Sequence, residues 1–423
     1  MPAWKRFAPK GGTMKNAFAA VRMDERHPNW SYASARKGNL YTRHGDFRTE
    51  FGRDYTRIIH SLAYSRLKHK TQVFFTTKND HISTRIDHVN QVNSVSNTIG
   101  VYLGLNTELI SAIALGHDLG HSPFGHLGER VLQKISRDEL GKTFWHEQQG
   151  LRVVDEIETL LDPAGKTQNL MLTYAVRDGI ISHCGEVSST VLRPREEAMD
   201  LADITRPSQY APYTWEGCVV KIADKIAYLG RDIEDAVRLR ILKEDGKPLQ
   251  DLLCELNSHF HENMQSVTNT SIMYPLITDI CRESSPDKGI VLSEAHIKLM
   301  DTVMRFNYEY IYKNKRLEIY HNYAQLILES IYNLLQECYG STRTIDNIRR
   351  LSEAYPTLGR HFEKRMMKFS DIGRAEANPE EYGNDVIYHI GESEADYKKA
   401  CIDYIAGMTD TYAEKIFGEM TTF

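Results

Sequence analysis

The sequence predicts an all-α fold, and three observations carry that expectation. From about Arg48 onward apolar residues recur at three- and four-residue spacings, the period of one face of a helix. Runs of alternating β-branched residues are scarce, so any strands are short. The residues between the periodic stretches are of the kinds that start and stop helices. The composition, 41% hydrophobic and 26% charged with 27 Gly and 13 Pro in 423 residues, excludes a mainly disordered, collagen-like or low-complexity chain. No apolar run approaches the roughly 18–20 residues of a membrane helix. The basic N-terminus MPAWKRFAPKGG has no apolar stretch behind it, unlike a secretory signal. A cytoplasmic protein without membrane contact is expected.

In chain order, residues 1–47 read as a basic arm. Residues 1–80 hold 16 Lys and Arg against 6 Asp and Glu, a net of +10, and with the whole chain at −5 the remainder carries −15. A surface of that sign suits phosphate, single-stranded nucleic acid or an acidic neighbouring subunit, or is simply a solvated face. Residues 48–240 follow as a helical core. In it His88, Val92, Val95, Ile99 and Leu103 share one face of a helix that stops near Gly104. Asn106 stands where an N-cap belongs, and Leu109 and Ile113 continue the pattern to Gly116. Asp118-Leu119-Gly120 interrupts it, and Pro123 suits the first turn of a third helix through Leu127, Val131 and Ile135. Another helix runs from Cys218 to about Leu239. Residues 241–423 form a further helical region, with a long loop or flap over Ser370 to Glu394 and a last helix over Tyr397 to Phe417. There is no internal repeat. The six cysteines, 30 or more residues apart without a C-x-x-C pair, read as reduced core thiols.

Nine of the 17 histidines fall between His60 and His183, most densely in HDLGHSPFGHLGE, His117 to Glu129. His117 and Asp118 end an apolar helix, where an ionisable pair is costly unless a metal or partner compensates it. His88 begins the preceding helix, and Asp224 lies in the otherwise apolar VVKIADKIAYLGRDIEDA. Two imidazoles and two carboxylates suit Mn²⁺, Fe²⁺, Co²⁺ or a catalytic Mg²⁺ with positions left for water and substrate. The absence of thiolates argues against structural zinc. His126 and Glu129, three apart, share a helix face, as do Asp224, Tyr228 and Asp232. His60, His69 and His81 read as surface or core residues, His183 in GIISHCGE as a core residue first and a pocket-lining one second, and Glu234 and Asp235 as a solvated helix end.

The pattern H…HD…D, with RTEFGRDYTRIIHSLAYSRLKHKTQVF upstream and HDLGHSPFGHLGE, FWHEQQG and ADKIAYLGRDIEDA downstream, resembles the HD-domain deoxynucleoside triphosphate triphosphohydrolases, the bacterial dGTPase family. The resemblance runs from about Arg48 to Asp235 and returns at DYIAGMTDTYAEKIF, Asp403 to Phe417. It implies an HD-domain helical fold over 48–240, with 241–423 completing the substrate pocket. The implied reaction is hydrolysis of a dNTP, with dGTP preferred, to deoxynucleoside and inorganic triphosphate by water attack at the α-phosphorus. His88, His117, Asp118 and Asp224 would hold the metal, His126 would be the catalytic acid or base, and Glu129 would orient it. Arg85, His121, His146 and Lys225 would contact phosphates, and Gln72, Tyr228 and Asp232 the deoxyribose. The resemblance further implies a homo-oligomer, dimer-based and tetrameric or hexameric, with a nucleotide effector in some relatives. Single-stranded DNA would be a second regulator. The alternatives are another HD phosphohydrolase (a 5′-nucleotidase, cyclic-nucleotide phosphodiesterase or guanosine-tetraphosphate hydrolase) or a nucleic-acid-binding protein with a relic site.

Overall fold

A computed structural model of the chain describes residues 15–41, 44–74, 79, 81–183, 191–259, 264–377 and 381–422. Helices dominate it, as the periodicity predicts. The described strands form two short antiparallel pairs, Thr159–Leu161 with Thr167–Asn169, and Val191–Leu192 with Ile290–Val291. No helix among the described residues is long and apolar enough to cross a membrane.

Three helices form the centre. Arg85–Leu103 ends at Gly104, whose φ of 82° is the left-handed turn that a helix stop uses. Asn106 caps Thr107–Gly116 by accepting from the Glu108 and Leu109 N–H groups. Seven of that helix's ten residues are buried, so it lies inside the protein rather than on its surface. Trp215–Arg238 packs against both. Around them Glu50–Ile59, Tyr174–Ser182 and Asn269–Glu283 close a hydrophobic core that draws on residues from Phe18 to Leu317. A second core gathers Lys315–Gln336, Pro356–Phe369, Glu394–Ala406 and Asp410–Thr421 around Ile331, Phe362 and Tyr397. The helix Gly125–Leu140 inserts Val131, Leu132 and Ile135 into this second core. The His117 to Glu129 motif therefore spans the place where the two cores meet.

Several local expectations change. The third helix begins at Gly125 rather than at Pro123, because Phe124 and Gly125 both adopt left-handed backbone, φ 61° and 57°. The Phe124 N–H then donates to the Asp410 carboxylate at 2.8 Å instead of opening a helical turn. The last helix is two helices, broken after Ala406 and restarted where Thr409 accepts from the Tyr412 N–H. The stretch from Ser370 to Glu394 opens with a helix, Asp371–Glu376, capped by Ser370. Its later part is anchored by Tyr388 and Ile390, both fully buried, and by Ile387 N–H donating to Phe369 O at 2.9 Å. It is a tied loop, with residues 378–380 outside those described. Cys218, Cys281, Cys338 and Cys401 are buried free thiols; Cys254 is exposed and Cys184 lies outside the described residues. Asp235 is no solvated helix end. It is buried and accepts from Ser83 N–H at 3.1 Å and Arg238 at 2.8 Å, while Glu234 accepts from Asn269 N–H at 2.9 Å.

Candidate active site

Helix ends and one helix middle place the site residues. Arg85 and His88 stand in the first turn of Arg85–Leu103, with the Thr84 N–H held by Asp87 at 2.9 Å. His117 follows the apolar Thr107–Gly116, and its Nδ1–H donates to Ala114 O at 2.7 Å. That bond leaves the Nε2 lone pair facing inward, the arrangement by which a carbonyl fixes a ligating imidazole. His117 Nε2 is buried without a hydrogen-bond partner among the described residues. It lies 3.3 Å from Asp118 Oδ1 and 3.8 Å from Asp224 Oδ1, and His88 Nε2 is 2.9 Å from that same Asp224 oxygen. Candidate ligand atoms of His88, His117 and Asp224 all fall within 4.8 Å of one another. A buried orphan imidazole nitrogen beside carboxylates is a donor set that fits a divalent ion.

Asp118 is turned partly aside. Its Oδ2 accepts from Arg85 at 3.1 Å and its Oδ1 lies 3.0 Å from His121 Nδ1, so it joins the other three through His117. Arg85 is 2% exposed, and its remaining donors reach Thr71 O and Gln72 O. Burial works against both carboxylates. For Asp118 the imidazoles of His121 and His117 and the Arg85 guanidinium outweigh it; for Asp224 the His88 hydrogen bond and His117 do. Both acids are held below the usual carboxylate range.

The row of imidazoles continues outward. His121 is buried with its Nδ1 beside Asp118 and its Nε2 unpartnered among the described residues, and its ring stacks on His146 at 3.8 Å between centroids. Burial and the nearby Arg85 charge keep His121 neutral. Gly120 allows this approach: a Cβ there would stand 2.1 Å from His146 O and 2.2 Å from Gly150 N. Glu129 accepts from the His146 backbone N–H at 3.0 Å and from its Nδ1 at 3.1 Å. His126 Nδ1 stands 3.6 Å from the other Glu129 oxygen, and 65% of the His126 side chain is exposed. Glu129 is thus bonded to His146 more closely than to His126.

On the third side, Asp224, Lys225, Tyr228 and Asp232 follow one another along Trp215–Arg238. Lys225 is half-buried, and Tyr228 packs against the first core. Asp232 is buried, accepts from the Tyr312 hydroxyl at 2.5 Å, and is pushed by burial up to about 7. Gln72 is buried with Oε1 unpartnered among the described residues. Its backbone lies against Gly125, where a Cβ would stand 3.0 Å from Gln72 O. His60, His69 and His81 are exposed and take no part.

The sequence singles out neither Tyr312, Asp410 nor Lys70, and gives His183 a pocket-lining role only as the lesser reading. Tyr312 arrives on a π-helical segment, Asn307–Tyr312. Asp410 holds Phe124 and Thr71. Lys70 is buried, its Nζ donating to His121 O and, at 3.0 Å, to Ala406 O, and burial pushes it down to about 7. His183, whose first reading from sequence is a core residue, is 1% exposed and its ring lies 4.9 Å from that of His117. Tyr312 comes from a distant segment without a motif, whereas Lys70 and Asp410 lie inside RTEFGRDYTRIIHSLAYSRLKHKTQVF and DYIAGMTDTYAEKIF with nothing in their spacing to single them out. His183 carries a weak signal, because it follows the apolar Gly179-Ile180-Ile181 turn much as His117 follows Ala114-Leu115-Gly116.

Residues 85–229 match the HD domain family. The chain is 33% identical over 368 residues to the deoxyguanosinetriphosphate triphosphohydrolase-like protein of Caldanaerobacter subterraneus subsp. tengcongensis, covering 87% of this chain and 84% of that protein. It is 33% identical over 375 residues to the protein so named from Clostridium perfringens, with 89% and 87% covered. With the counterpart from Rickettsia bellii it shares 29% over 408 residues, 92% and 97% of the two chains. With a buried His/Asp cluster inside its HD domain and relatives of this identity along most of its length, the chain belongs to the family of deoxyguanosinetriphosphate triphosphohydrolase-like proteins.

Proposed function

We propose that this protein is a metal-dependent hydrolase of deoxynucleoside triphosphates, with dGTP preferred, releasing the deoxynucleoside and intact triphosphate. The observation that carries the reading is the row from His88 and Asp224 through His117, Asp118, His121 and His146 to Glu129 and His126: ligand atoms of His88, His117 and Asp224, of Asp118, His121 and His146, and of His121, His126 and Glu129 lie within 4.8 Å of one another, and His117 Nε2 stands 3.3 Å from Asp118 Oδ1. A row of that kind can hold an ion at one end and move a proton at the other. A divalent ion at His88, His117, Asp118 and Asp224, Mn²⁺ or Mg²⁺ foremost and Fe²⁺ or Co²⁺ as alternatives, supplies Lewis-acid polarisation of an α-phosphate oxygen.

The protein's own groups supply the rest. His121 and His146, with Lys225 and Arg85, take phosphate oxygens. For Arg85 this requires sharing its fork with Asp118. His126, at the solvent end, exchanges a proton with the attacking water or with the 5′-oxygen as it leaves the α-phosphorus. Glu129 fixes the imidazole tautomers beside it, held ionised, despite burial, by His146 and His126. Gln72 and Asp232 accept or donate to the sugar hydroxyl, and Tyr228 covers the C2′ face, which selects deoxyribose. Residues 48–240 act as the catalytic unit, with 241–423 closing the pocket through Tyr312 and Asp410. A cytoplasmic homo-oligomer of dimers accords with the same family reading.

Each dNTP and GTP, incubated separately with Mn²⁺ and with Mg²⁺, gives products that decide the matter by chromatography. Inorganic tripolyphosphate from a dNTP, and none from GTP, is the expected result. Formation of dNMP and pyrophosphate would sink it in favour of another HD phosphohydrolase.

A further inference from the structure

We propose that His183 is a further ligand of the metal site, a third imidazole beside His88 and His117. The inference rests on the metal-dependent reading above. His117 and His183 are built alike. Each is the residue that closes a buried helix, Thr107–Gly116 and Tyr174–Ser182 respectively. Each turns its Nδ1–H to the carbonyl three residues back, Ala114 or Ile180, at 2.7 Å. Each therefore presents Nε2 as a lone pair, and each Nε2 is buried with no hydrogen-bond partner among the described residues.

Packing aims the two at one another. The two helices touch because small residues let them: a Cβ on Gly116 would stand 2.8 Å from Ile180, and one on Gly179 2.6 Å from Ile113. Their terminal rings meet at 4.9 Å and 74°. Ligand atoms of His117, Asp118 and His183 lie within 4.8 Å of one another. Metal–nitrogen bonds of about 2.1 Å place adjacent donors ~3.0–3.4 Å apart and opposite ones ~4.2 Å apart, so a closure of about 1–2 Å brings all three onto one ion. A histidine present only for packing finds a donor for its second nitrogen. Among the described residues the groups facing this one are the His117 and His146 rings and the Asp118 and Asp224 carboxylates, none of which is hydrogen-bonded to its Nε2, while the Lys221 ammonium donates to Ser182 O.

The test uses Co²⁺ alone with the full-length protein. X-ray absorption of the loaded protein counts imidazoles from their outer-shell scattering: three are expected, and two would overturn the proposal. This measurement needs no variant. Calorimetric titration of His183→Gln should show Co²⁺ affinity at least ~10-fold weaker, with His88→Ala as the reference for losing a ligand. An unchanged affinity in His183→Gln, with binding lost in His88→Ala, overturns the His183 assignment and leaves the functional reading standing. No Co²⁺ binding by the unaltered protein overturns both.

Discussion

His117 and His126 lie nine residues apart in one motif, yet the first side chain is fully buried and the second leaves 65% of its surface in solvent. The difference follows the two cores. His117 belongs to the first, where an apolar helix end, the Ala114 carbonyl and two carboxylates hold it. His126 rides on the first turn of Gly125–Leu140, a helix whose buried face belongs to the second core. An ion site gains from a dry, fixed cage, because electrostatic interactions strengthen as water is excluded. A proton-exchanging group must instead meet water and the departing oxygen. On the proposed function, one short motif would serve both needs by crossing from one core to the other at the left-handed Phe124–Gly125 step.

Substitutions at the two ends should therefore fail differently. Asp118→Ala strands the buried Arg85 guanidinium and removes a ligand. Turnover should vanish, metal should be lost on dialysis, and stability should fall by about 3–5 kcal/mol in denaturant melts. His126→Ala should lose at least ~10²-fold in kcat while its melting changes by no more than about 0.5 kcal/mol, as for an exposed position. If His126→Ala destabilises the fold as much as Asp118→Ala, the contrast between the ends is wrong. Glu129→Gln sits between them, bonded to His146 but also beside His126. A roughly tenfold loss of kcat with a stability cost of about 1–3 kcal/mol is expected; a cost in only one of the two would assign Glu129 to a single end.

The smallest effect is a pH dependence. Burial raises the Asp232 carboxyl from 3.8 to about 7, so the folded chain binds that proton more tightly than the unfolded chain does. The associated stability is fully present below about pH 4 and is lost as the pH rises to about 7. Asp232→Asn should flatten that slope, seen as a change of a few degrees in the metal-free melting midpoint between pH 5 and pH 8. An unchanged slope would mean that Asp232 is solvated, and that the sugar side of the site is open.

The centre of the fold was legible because it obeys local rules. The Asn106 cap, the Gly104 stop and the period of Val92, Val95 and Ile99 need no distant partner. Where a distant partner intervenes, the local reading slips. Asp410 draws the Phe124 N–H away from a helical turn; Thr409, a local cap inside a periodic stretch, is the exception, restarting a helix that the period alone runs through to Phe417. Tyr388 likewise pins a Gly- and Asp-rich segment whose composition alone suggests a free loop.

By itself, then, the sequence determined the helical class, the histidine-rich motif and the chemical kinds of ligand present, because periodicity, caps and residue chemistry are encoded within a few residues. Only the tertiary structure decided that Asp118 faces Arg85 and His121, that Glu129 bonds His146, and that His183 and Tyr312 enter the site. Those choices depend on which helices approach closely enough, as Gly116, Gly120 and Gly179 allow. Such approaches are settled by packing between segments tens to hundreds of residues apart.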